Sequence, residues 1–429
     1  MTYESAIEKI HSLLTFGSRP GLDRMKKLLK LLGNPQDKLQ YIHIAGTNGK
    51  GSVCAVLSSV LVQAGYHTGL FISPYITDFR ERIQINNQMI NKETLADAVV
   101  TTFPIIEKLQ NEGTIITEFE YVNALAFYIF ANAGCDIVVL ETGLGGLLDC
   151  TNVILPPLCA VITTIGLDHT AILGDTIEQI AEQKCGILKK GSLAVCSKQD
   201  PRAMKVIEET ARKCEIPLIN SESVAIVHPV LHLSGSEFEA NGLSLSLPLA
   251  GAHQIDNTAT ALAALFTLRQ RNLLNISDEA IQRGVCKAVN PARLELLNKN
   301  PIVLLDGAHN PNGIEALKNA IREFLPDKKI TCVMGMLADK DTDGAIALLS
   351  GMFERVFTVP VNNPRAMATE KLAEKFHAIC PSVTAFGNAE QAIDEALALA
   401  KNEDGVVIIC GSLYLAGEIR PYVQAAVKK

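Results

Sequence analysis

Short apolar runs alternate with segments of helical periodicity along most of the chain, and this alternation restricts the possible folds more than any other feature. The runs YIHIAG, TGLFIS, CDIVVLETG, LCAVITTIG and SLAVCSK are separated by stretches with helical spacing of apolar residues. Such alternation is typical of a mostly parallel sheet covered by helices on both faces. We therefore expect an α/β protein.

A second series of apolar runs repeats this rhythm in the last third of the chain. IVLLDG, ITCVMGM, RVFTVPV, SVTAFG and GVVIICG alternate with helical segments. The chain of 429 residues also exceeds the length at which one core usually keeps growing. We predict a P-loop-type domain over residues 1–295 and a smaller Rossmann-like α/β domain over residues 296–429, divided within the proline-bracketed segment 290–301.

One stretch departs from the α/β rhythm. FEANGLSLSLPL alternates apolar and polar residues around Asn241-Gly242, a dipeptide that favours a two-residue hairpin turn. We expect a small antiparallel patch attached to the first domain.

Composition excludes several classes of function. The net charge is −7, with no basic run and no tryptophan, which argues against a nucleic-acid partner. No apolar run approaches the roughly 18 residues of a membrane span, and the N-terminal segment lacks an export signal. Most of the cysteines, such as Cys135, Cys159, Cys332 and Cys410, lie in apolar patterns as reduced core thiols do, and no C-x-x-C pair occurs. We expect a cytoplasmic protein with neither a nucleic-acid nor a membrane partner.

The segment YIHIAGTNGKGS, residues 41–52, passes from an apolar strand through a glycine-rich turn into a helix. Backbone N–H groups at such a turn converge on an anion, and Lys50 can neutralise a β- or γ-phosphate. Gly51 stands between Lys50 and Ser52, so the spacing differs from the standard phosphate-loop pattern. The alternative is an ordinary tight turn, but nucleotide phosphate is the better interpretation.

Polar residues follow three apolar strands of the first domain. Ser73 ends FIS, Glu141 ends DIVVLE, and His169 follows the strand in LCAVITTIG. The carboxyl ends of parallel strands form the ligand-binding edge of such a sheet, and Mg²⁺ prefers oxygen ligands beside phosphates. Singly, Glu141 could cap a helix and His169 could be structural, but together they indicate a metal site.

The second domain has a similar polar cluster after a strand. LLDGAHNPNG places Asp306, His309 and Asn310 before a helix that Pro311 opens. The cluster could bind a nucleotide or only cap the helix. Arg293, in the linker, could reach a phosphate or remain solvated.

Taken in order, these motifs resemble the folylpolyglutamate synthase family of the Mur ligase superfamily, over nearly the whole chain. The matching segments are HIAGTNGKGS, SPYITDFRERI, ETGLGGLLDCTN, TTIGLDHTAILGDTIEQIAEQKCGI, PARLE, DGAHNPNG, LADKD and GSLYLAGEIR. The resemblance implies an ATP-dependent ligase, a monomer by our expectation, that adds L-glutamate to the γ-carboxylate of a reduced folate through an acyl phosphate.

The resemblance also implies roles for particular residues. Lys50, Lys184 and His169 would be catalytic, and Ser73, Glu141, His169 and Lys184 would hold two Mg²⁺ ions. The ATP site would comprise Asn48, Gly49, Lys50, Gly51, Ser52, Asn257, Arg293, Asp306 and His309. Folate contacts would come from Thr117, Glu118, Phe119, Glu120, Leu148, Asp149 and Cys150.

Lys184 has two competing interpretations. By pattern, EQIAEQKCGILKK is an amphipathic helix, on which a lysine is ordinarily a solvated cation. The resemblance instead aligns Lys184, and neither Lys189 nor Lys190, with a lysine that CO₂ converts to a carbamate. That reaction needs a neutral amine, which requires burial or cationic neighbours.

Two residues depart from the bifunctional members of the family, which also make dihydrofolate from dihydropteroate. Leu147 replaces the arginine of GGRLDATN, and Tyr75 replaces a histidine common after SP. We therefore favour folylpolyglutamate synthesis over the bifunctional alternative. A peptidoglycan-precursor ligase would normally have a further N-terminal domain, and a non-catalytic nucleotide-binding regulator would not need the set of Lys50, Glu141, His169 and Lys184.

Overall fold

An eight-stranded mixed sheet forms the centre of the first domain in the computed structural model, which describes residues 1–16 and 21–428. The strands are β1 Gln40–Ala45, β2 Thr68–Phe71, β3 Ile83–Ile85, β4 Gln88–Met89, β5 Ile137–Glu141, β6 Cys159–Ile162, β7 Leu193–Cys196 and β8 Leu218–Asn220. Their order is β4-β3-β2-β5-β1-β6-β7-β8, and only the pairs β2–β3 and β3–β4 are antiparallel.

Within residues 1–16 and 21–295, ten α-helices cover both faces of this sheet. They are α1 Tyr3–His11, α2 Asp23–Leu31, α3 Lys50–Gln63, α4 Lys92–Asn111, α5 Glu118–Ala133, α6 Thr170–Leu173, α7 Ile177–Cys185, α8 Pro201–Lys213, α9 Ala252–Gln270 and α10 Asp278–Cys286. Successive side chains of a strand point to opposite faces, so Ile42 and Ile44 pack with α3, α9 and α10, whereas Tyr41 packs with α1, α2, α4 and α5. β1 is therefore buried on both faces, directly before the phosphate loop.

The predicted antiparallel patch is a three-stranded sheet. Its strands are β9 Ile226–His232, β10 Gly235–Ala240 and β11 Leu243–Leu247, in the order β11-β10-β9. Asn241 and Gly242 join β10 to β11 with positive φ angles of 47° and 82°, as the tight hairpin turn requires. Phe238 and Leu247 belong to the core that also contains α3 and α9.

The last third of the chain forms a six-stranded sheet of its own. Its strands are β12 Glu295–Lys299, β13 Ile302–Leu305, β14 Ile330–Met334, β15 Arg355–Thr358, β16 Ser382–Ala385 and β17 Val406–Cys410. Their order is β12-β13-β17-β14-β15-β16, parallel except for β12. Five helices cover the two faces: α11 Pro311–Phe324, α12 Thr342–Leu348, α13 Thr369–Phe376, α14 Ala389–Glu403 and α15 Leu413–Ala426.

The fold confirms the predicted α/β class, its two domains and the small antiparallel sheet. One local expectation differs, because the segment 290–301, expected as a linker, contains the edge strand β12 paired with β13. All eleven cysteines are free thiols, most of them buried, and Cys286 at the end of α10 is the exposed one. Among the described helices, none is both long and apolar enough to cross a bilayer.

Candidate active site

The phosphate loop lies between β1 and α3 and is held by close backbone packing. Gly46 has a φ of +156°, and a Cβ there would lie 1.8 Å from Thr163 Oγ1. Gly49, with a φ of +88°, would place a Cβ 2.3 Å from Asn257 Oδ1. These two positions require glycine, and the loop they form presents the N-terminus of α3 to a cavity.

This nucleotide cavity, of about 310 Å³, lies between the two domains. Residues from the phosphate loop, α9, the linker and the loop after β13 line it. All nine residues predicted for the ATP site are among them: Asn48, Gly49, Lys50, Gly51, Ser52, Asn257, Arg293, Asp306 and His309.

Four residues predicted as metal ligands also line the nucleotide cavity: Ser73, Glu141, His169 and Lys184. Glu141 is buried, and it accepts a hydrogen bond from the Ser73 backbone N–H at 3.1 Å while its other oxygen lies 3.8 Å from Lys50 Nζ. Burial raises the pKa of this carboxyl, and the neighbouring Lys50 opposes the rise.

Within the described ranges, no three His, Cys, Asp or Glu side chains group closely enough to hold a metal ion by themselves. A magnesium ion here would therefore need the serine hydroxyl, phosphate oxygens and water in addition to Glu141, which is the mixed oxygen set that Mg²⁺ accepts.

Lys184 is buried at the end of α7, with 4% of its surface exposed. Its Nζ donates to the Gly46 carbonyl oxygen at 2.8 Å. Burial, with the Lys50 cation as a second cause, lowers the pKa of Lys184 to about 7. By contrast, the Lys190 side chain is 74% exposed, and Lys189 donates to the carbonyls of Asn152 and Ile154.

Asp168 joins the two domains at the edge of the nucleotide cavity. Its Oδ1 lies 2.7 Å from Lys340 Nζ and its Oδ2 accepts from Asn310 Nδ2 at 3.0 Å. Both partners belong to the second domain, and Asn310 Nδ2 also lies 3.2 Å from Asn48 Oδ1. His169 follows Asp168 in the left-handed conformation, with a φ of 52°, as the N-cap of α6.

Asp306 ties the linker to the loop after β13, because its two oxygens accept backbone hydrogen bonds from one residue of each segment. The Leu294 N–H donates to Oδ2 at 2.6 Å, and the Ala308 N–H donates to Oδ1 at 2.7 Å. Ala292 and Leu294 are left-handed, with φ angles of 55° and 48°, so Arg293 lies between two residues in a costly conformation. The geometry favours Asp306 as the group that positions Arg293 in the nucleotide cavity.

His309 lines the nucleotide cavity and also a second, adjoining cavity that is described below. Its Nδ1 lies 2.8 Å from the Gly307 carbonyl oxygen, which can only accept, so Nδ1 carries the proton. Burial, with Lys340 as the next cause, lowers the pKa of His309 to about 4. The ring is therefore neutral at pH 7 and Nε2 can accept a hydrogen bond.

A second cavity of about 540 Å³, here called the substrate cavity, adjoins the first. Glu120 and Thr117 form a capping box at the start of α5, and Asp149 caps the turn at Cys150–Val153, so these polar groups also fix the cavity wall. Every residue predicted for the folate site lines this cavity: Thr117, Glu118, Phe119, Glu120, Leu148, Asp149 and Cys150.

Several cationic and polar residues of this cavity were missed by the sequence reasoning. Arg82 lies beside Glu118, at 4.0 Å, and its guanidinium lies near the rings of Tyr75 and Phe79. The motifs SPYITDFRERI, LADKD and GSLYLAGEIR contain part of this set, and they were the available signal. The missed residues include Arg82, Lys340, Arg365, Ser412 and Tyr414.

Leu147 occupies an unexpected place. Its side chain is 45% exposed, and among the described residues that line the substrate cavity Leu148 is present but Leu147 is not. Its backbone instead packs against Gly186, where a Cβ would lie 2.2 Å from Leu147 Cα. Its two chain neighbours, Gly146 and Leu148, are among the residues that line the substrate cavity.

A phosphate loop facing a cavity between two α/β domains, with a buried lysine and carboxylate beside it, defines an ATP-using enzyme of the Mur ligase type. The Mur ligase middle domain matches residues 44–265, and the Mur ligase glutamate ligase domain matches residues 292–413. The chain belongs to the folylpolyglutamate synthase and dihydrofolate synthase family of these ligases.

Three relatives illustrate the similarity. The chain is 38% identical to the dihydrofolate synthase/folylpolyglutamate synthase of Bacillus subtilis, covering 97% of this chain and 98% of that protein. It is 35% identical to the folylpolyglutamate synthase of Lacticaseibacillus casei, covering 98% of each. Mycobacterium tuberculosis folylpolyglutamate synthase, solved with ADP and AMPPCP, superposes with a TM-score of 0.90 at 30% identity, covering 98% of this chain and 99% of that one.

Proposed function

We propose that the protein uses ATP to join L-glutamate to the γ-carboxylate of a reduced folate, with ADP and phosphate as the other products. The observation that carries the proposal is that the two cavities share residues. Ser73, Gly143, His169, Leu173 and His309 line both, so a carboxylate in the substrate cavity can meet the terminal phosphate of a nucleotide.

The shared region suits the activation of a carboxylate. A carboxylate reacts poorly with an amine, and phosphoryl transfer converts it to an acyl phosphate with a good leaving group. Lys50 and the N-terminus of α3 would stabilise the negative charge on the transferred phosphoryl group. The protein then has mainly to position the groups that react.

Magnesium fits the residues around the phosphate loop. Glu141, Ser73 and His169 would hold it with the phosphates, and bound magnesium would neutralise charge on the phosphoryl oxygens. A carbamate on Lys184 would supply a further anionic oxygen where the unmodified lysine is a cation. Burial and the pKa of about 7 support this modification, because CO₂ reacts with the neutral amine.

The contact between the domains would protect the intermediate. An acyl phosphate is hydrolysed if water reaches it, and Asp168 with Lys340 and Asn310 brings the second domain against the nucleotide cavity. His309, neutral with Nε2 able to accept, lines both cavities, where it would accept a hydrogen bond from the amino group of glutamate and orient it for attack as the neutral amine.

Product analysis tests the proposal directly. The purified protein is incubated with ATP, Mg²⁺, L-glutamate and tetrahydrofolate, and products are separated by mass. Stoichiometric ADP with a product one glutamyl unit heavier is expected. ADP formation without ligation, or no ADP formation, would contradict the assignment.

Dihydrofolate synthesis is the second candidate. The position of Leu147 makes the missing arginine a weaker argument against this activity than the sequence alone suggested. A missing arginine matters only where it could meet the substrate, and Leu147 is not among the described residues that line the substrate cavity. The relative from Bacillus subtilis carries both activities in its name. The same assay with dihydropteroate decides, and Leu147→Arg changing that rate by tenfold or more would restore the original argument.

The free thiols agree with a reducing compartment, and we propose a cytoplasmic enzyme. We further propose that it acts as a monomer. Sedimentation at assay concentration tests the second statement.

A further inference from the structure

Two cations of the second domain line the substrate cavity, and they differ in exposure. Lys340 follows β14, has 9% of its side chain exposed and pairs with Asp168. Arg365 follows β15 and has 47% of its side chain exposed. Lys340 is therefore an interior group, whereas Arg365 lies at the mouth of the cavity.

The Arg365 loop is fixed by backbone contacts. The Ala338 N–H donates to the Arg365 carbonyl oxygen at 2.8 Å, and Leu337 forms a β-bridge with Ala366. The guanidinium lies 2.8 Å from Asp339 Oδ2 through Nη1 and 3.4 Å from the Tyr414 hydroxyl through Nη2. Its five N–H donors exceed these two contacts, so further donors can face an incoming anion.

A lengthening substrate would bring negative charge to this mouth. Each turnover moves the reacting carboxylate one residue along the tail, while the reaction remains where the two cavities meet. The earlier γ-linked residues must then shift outward through the substrate cavity, each carrying a free α-carboxylate.

We propose that Arg365, together with Tyr414, binds these α-carboxylates and thereby favours acceptors that already carry more than one glutamate. This inference rests on the proposed function and concerns the substrate class within it. The planar guanidinium suits a carboxylate, and the Tyr414 hydroxyl can donate a hydrogen bond to the same group.

The exposure of Arg365 favours the glutamate tail of the acceptor, and not the incoming glutamate, as the ligand of its guanidinium. The attacking amino acid must lie inside, near the shared residues and away from water, whereas Arg365 is half-exposed at the rim. An ion pair between the half-exposed Arg365 and one carboxylate contributes little to binding. The contribution of Arg365 to acceptor affinity should therefore be greater when the tail carries several α-carboxylates. Asp339 competes for the same guanidinium, which predicts opposite effects of substitutions at the two positions.

The experiment compares tetrahydrofolate acceptors with one and three glutamates. Arg365→Ala should raise KM for the triglutamate about threefold to tenfold more than for the monoglutamate, and shorten the products. Asp339→Asn should lower the triglutamate KM relative to the monoglutamate KM, and Arg365→Lys should retain part of the preference. Arg283→Ala, an exposed arginine paired with Glu279, is the matched control and should leave the ratio unchanged.

Equilibrium binding of the same two acceptors, measured by fluorescence with an ATP analogue present, gives a readout independent of turnover. Equal changes for both tail lengths would overturn the inference, as would a raised KM for glutamate alone, which would assign Arg365 to the incoming amino acid. A wild-type protein that ligates no folate would contradict the proposed function, and the binding comparison would still decide the role of Arg365.

Discussion

Lys50 and Lys184 donate to the same acceptor, the carbonyl oxygen of Gly46, at 3.1 and 2.8 Å. When both lysines are protonated, the two ammonium groups on one carbonyl repel each other, and only Lys50 is part of the phosphate loop. Placing a phosphate beside Lys50, or turning Lys184 into an anion, would relieve that repulsion. The arrangement thus favours the binding of anions before any ligand arrives.

Lys50→Ala should reduce ligation by about a hundredfold or more while preserving the fold, because its charge acts on the transferred phosphoryl group and not on the core. ADP release and thermal denaturation provide the two measurements. Lys190→Ala, which removes an exposed lysine, should leave both nearly unchanged. Near-normal turnover of Lys50→Ala would refute the ATP-site assignment.

Activity should depend on bicarbonate through Lys184. Lys184→Ala should be nearly inactive, and short carboxylates should partly restore it by occupying the vacated space. The neutral amine becomes abundant as pH rises through about 7, so reactivation of CO₂-depleted enzyme should accelerate over that range. Carbon-13 NMR with labelled bicarbonate should show a carbamate signal that is absent from Lys184→Ala; full activity of that variant would exclude the modification.

Lys184→Met should stabilise the protein in bicarbonate-free buffer while abolishing activity. Burial lowers the lysine pKa in the folded state, so the unfolded chain binds more protons between pH 7 and the ordinary lysine pKa. The free energy of unfolding of the wild-type protein therefore rises with pH from 7 to the ordinary lysine pKa. Below pH 7, the folded protein bears the full cost of burying a protonated Lys184. One pKa unit corresponds to about 1.4 kcal/mol, so a higher melting temperature at pH 7 is expected. A pH-independent difference between the two proteins would contradict this account.

Asp168→Asn should weaken the contact between the domains. The substitution removes the charged partner of Lys340, whose side chain is only 9% exposed, and should lower the free energy of unfolding by about 2 kcal/mol or more. Adding Lys340→Met should recover much of this loss. Urea denaturation of the two single variants and the double variant measures the coupling. The exposed pair Lys190–Glu215 serves as the comparison, with an expected coupling of at most about 1 kcal/mol.

Gly46→Ala should abolish nucleotide binding and destabilise the first domain, because its Cβ would overlap Thr163 Oγ1. Gly65→Ala is the matched control, since Gly65 also has a positive φ, of 91°, but has open space around its Cβ position. The control should lose about 1–2 kcal/mol from backbone strain and keep its affinity for ATP. Similar losses in both variants would show that steric overlap is unimportant.

Local patterns predicted most of the fold. The hairpin at Asn241-Gly242 follows from turn chemistry, and the strands follow from apolar runs bounded by glycines. The edge strand β12 was missed because ELLNK is short and lacks the alternation of a strand, although only two residues, Asn300 and Pro301, separate it from its antiparallel partner β13.

The candidate site was predictable where its residues follow strands, because parallel strands bring their carboxyl ends together. Contacts between domains were not predictable in this way. Asp168 and Lys340 lie 172 residues apart, and nothing local to either residue indicates the other. Likewise, only the folded structure shows that Leu148, and not Leu147, is among the described residues that line the substrate cavity.

Cys286 is the one exposed thiol, Cys214 is partly exposed and the other nine cysteines are buried, so Cys286 offers a natural attachment point. It lies two residues after Gly284, where α10 packs so closely against Val60 of α3 that a Cβ would meet the Val60 backbone. A maleimide dye would therefore attach behind the helix that begins at the phosphate loop. With a second dye on the C-terminal domain, energy transfer would test whether the distance between the two domains changes during turnover, with the native cysteines left in place.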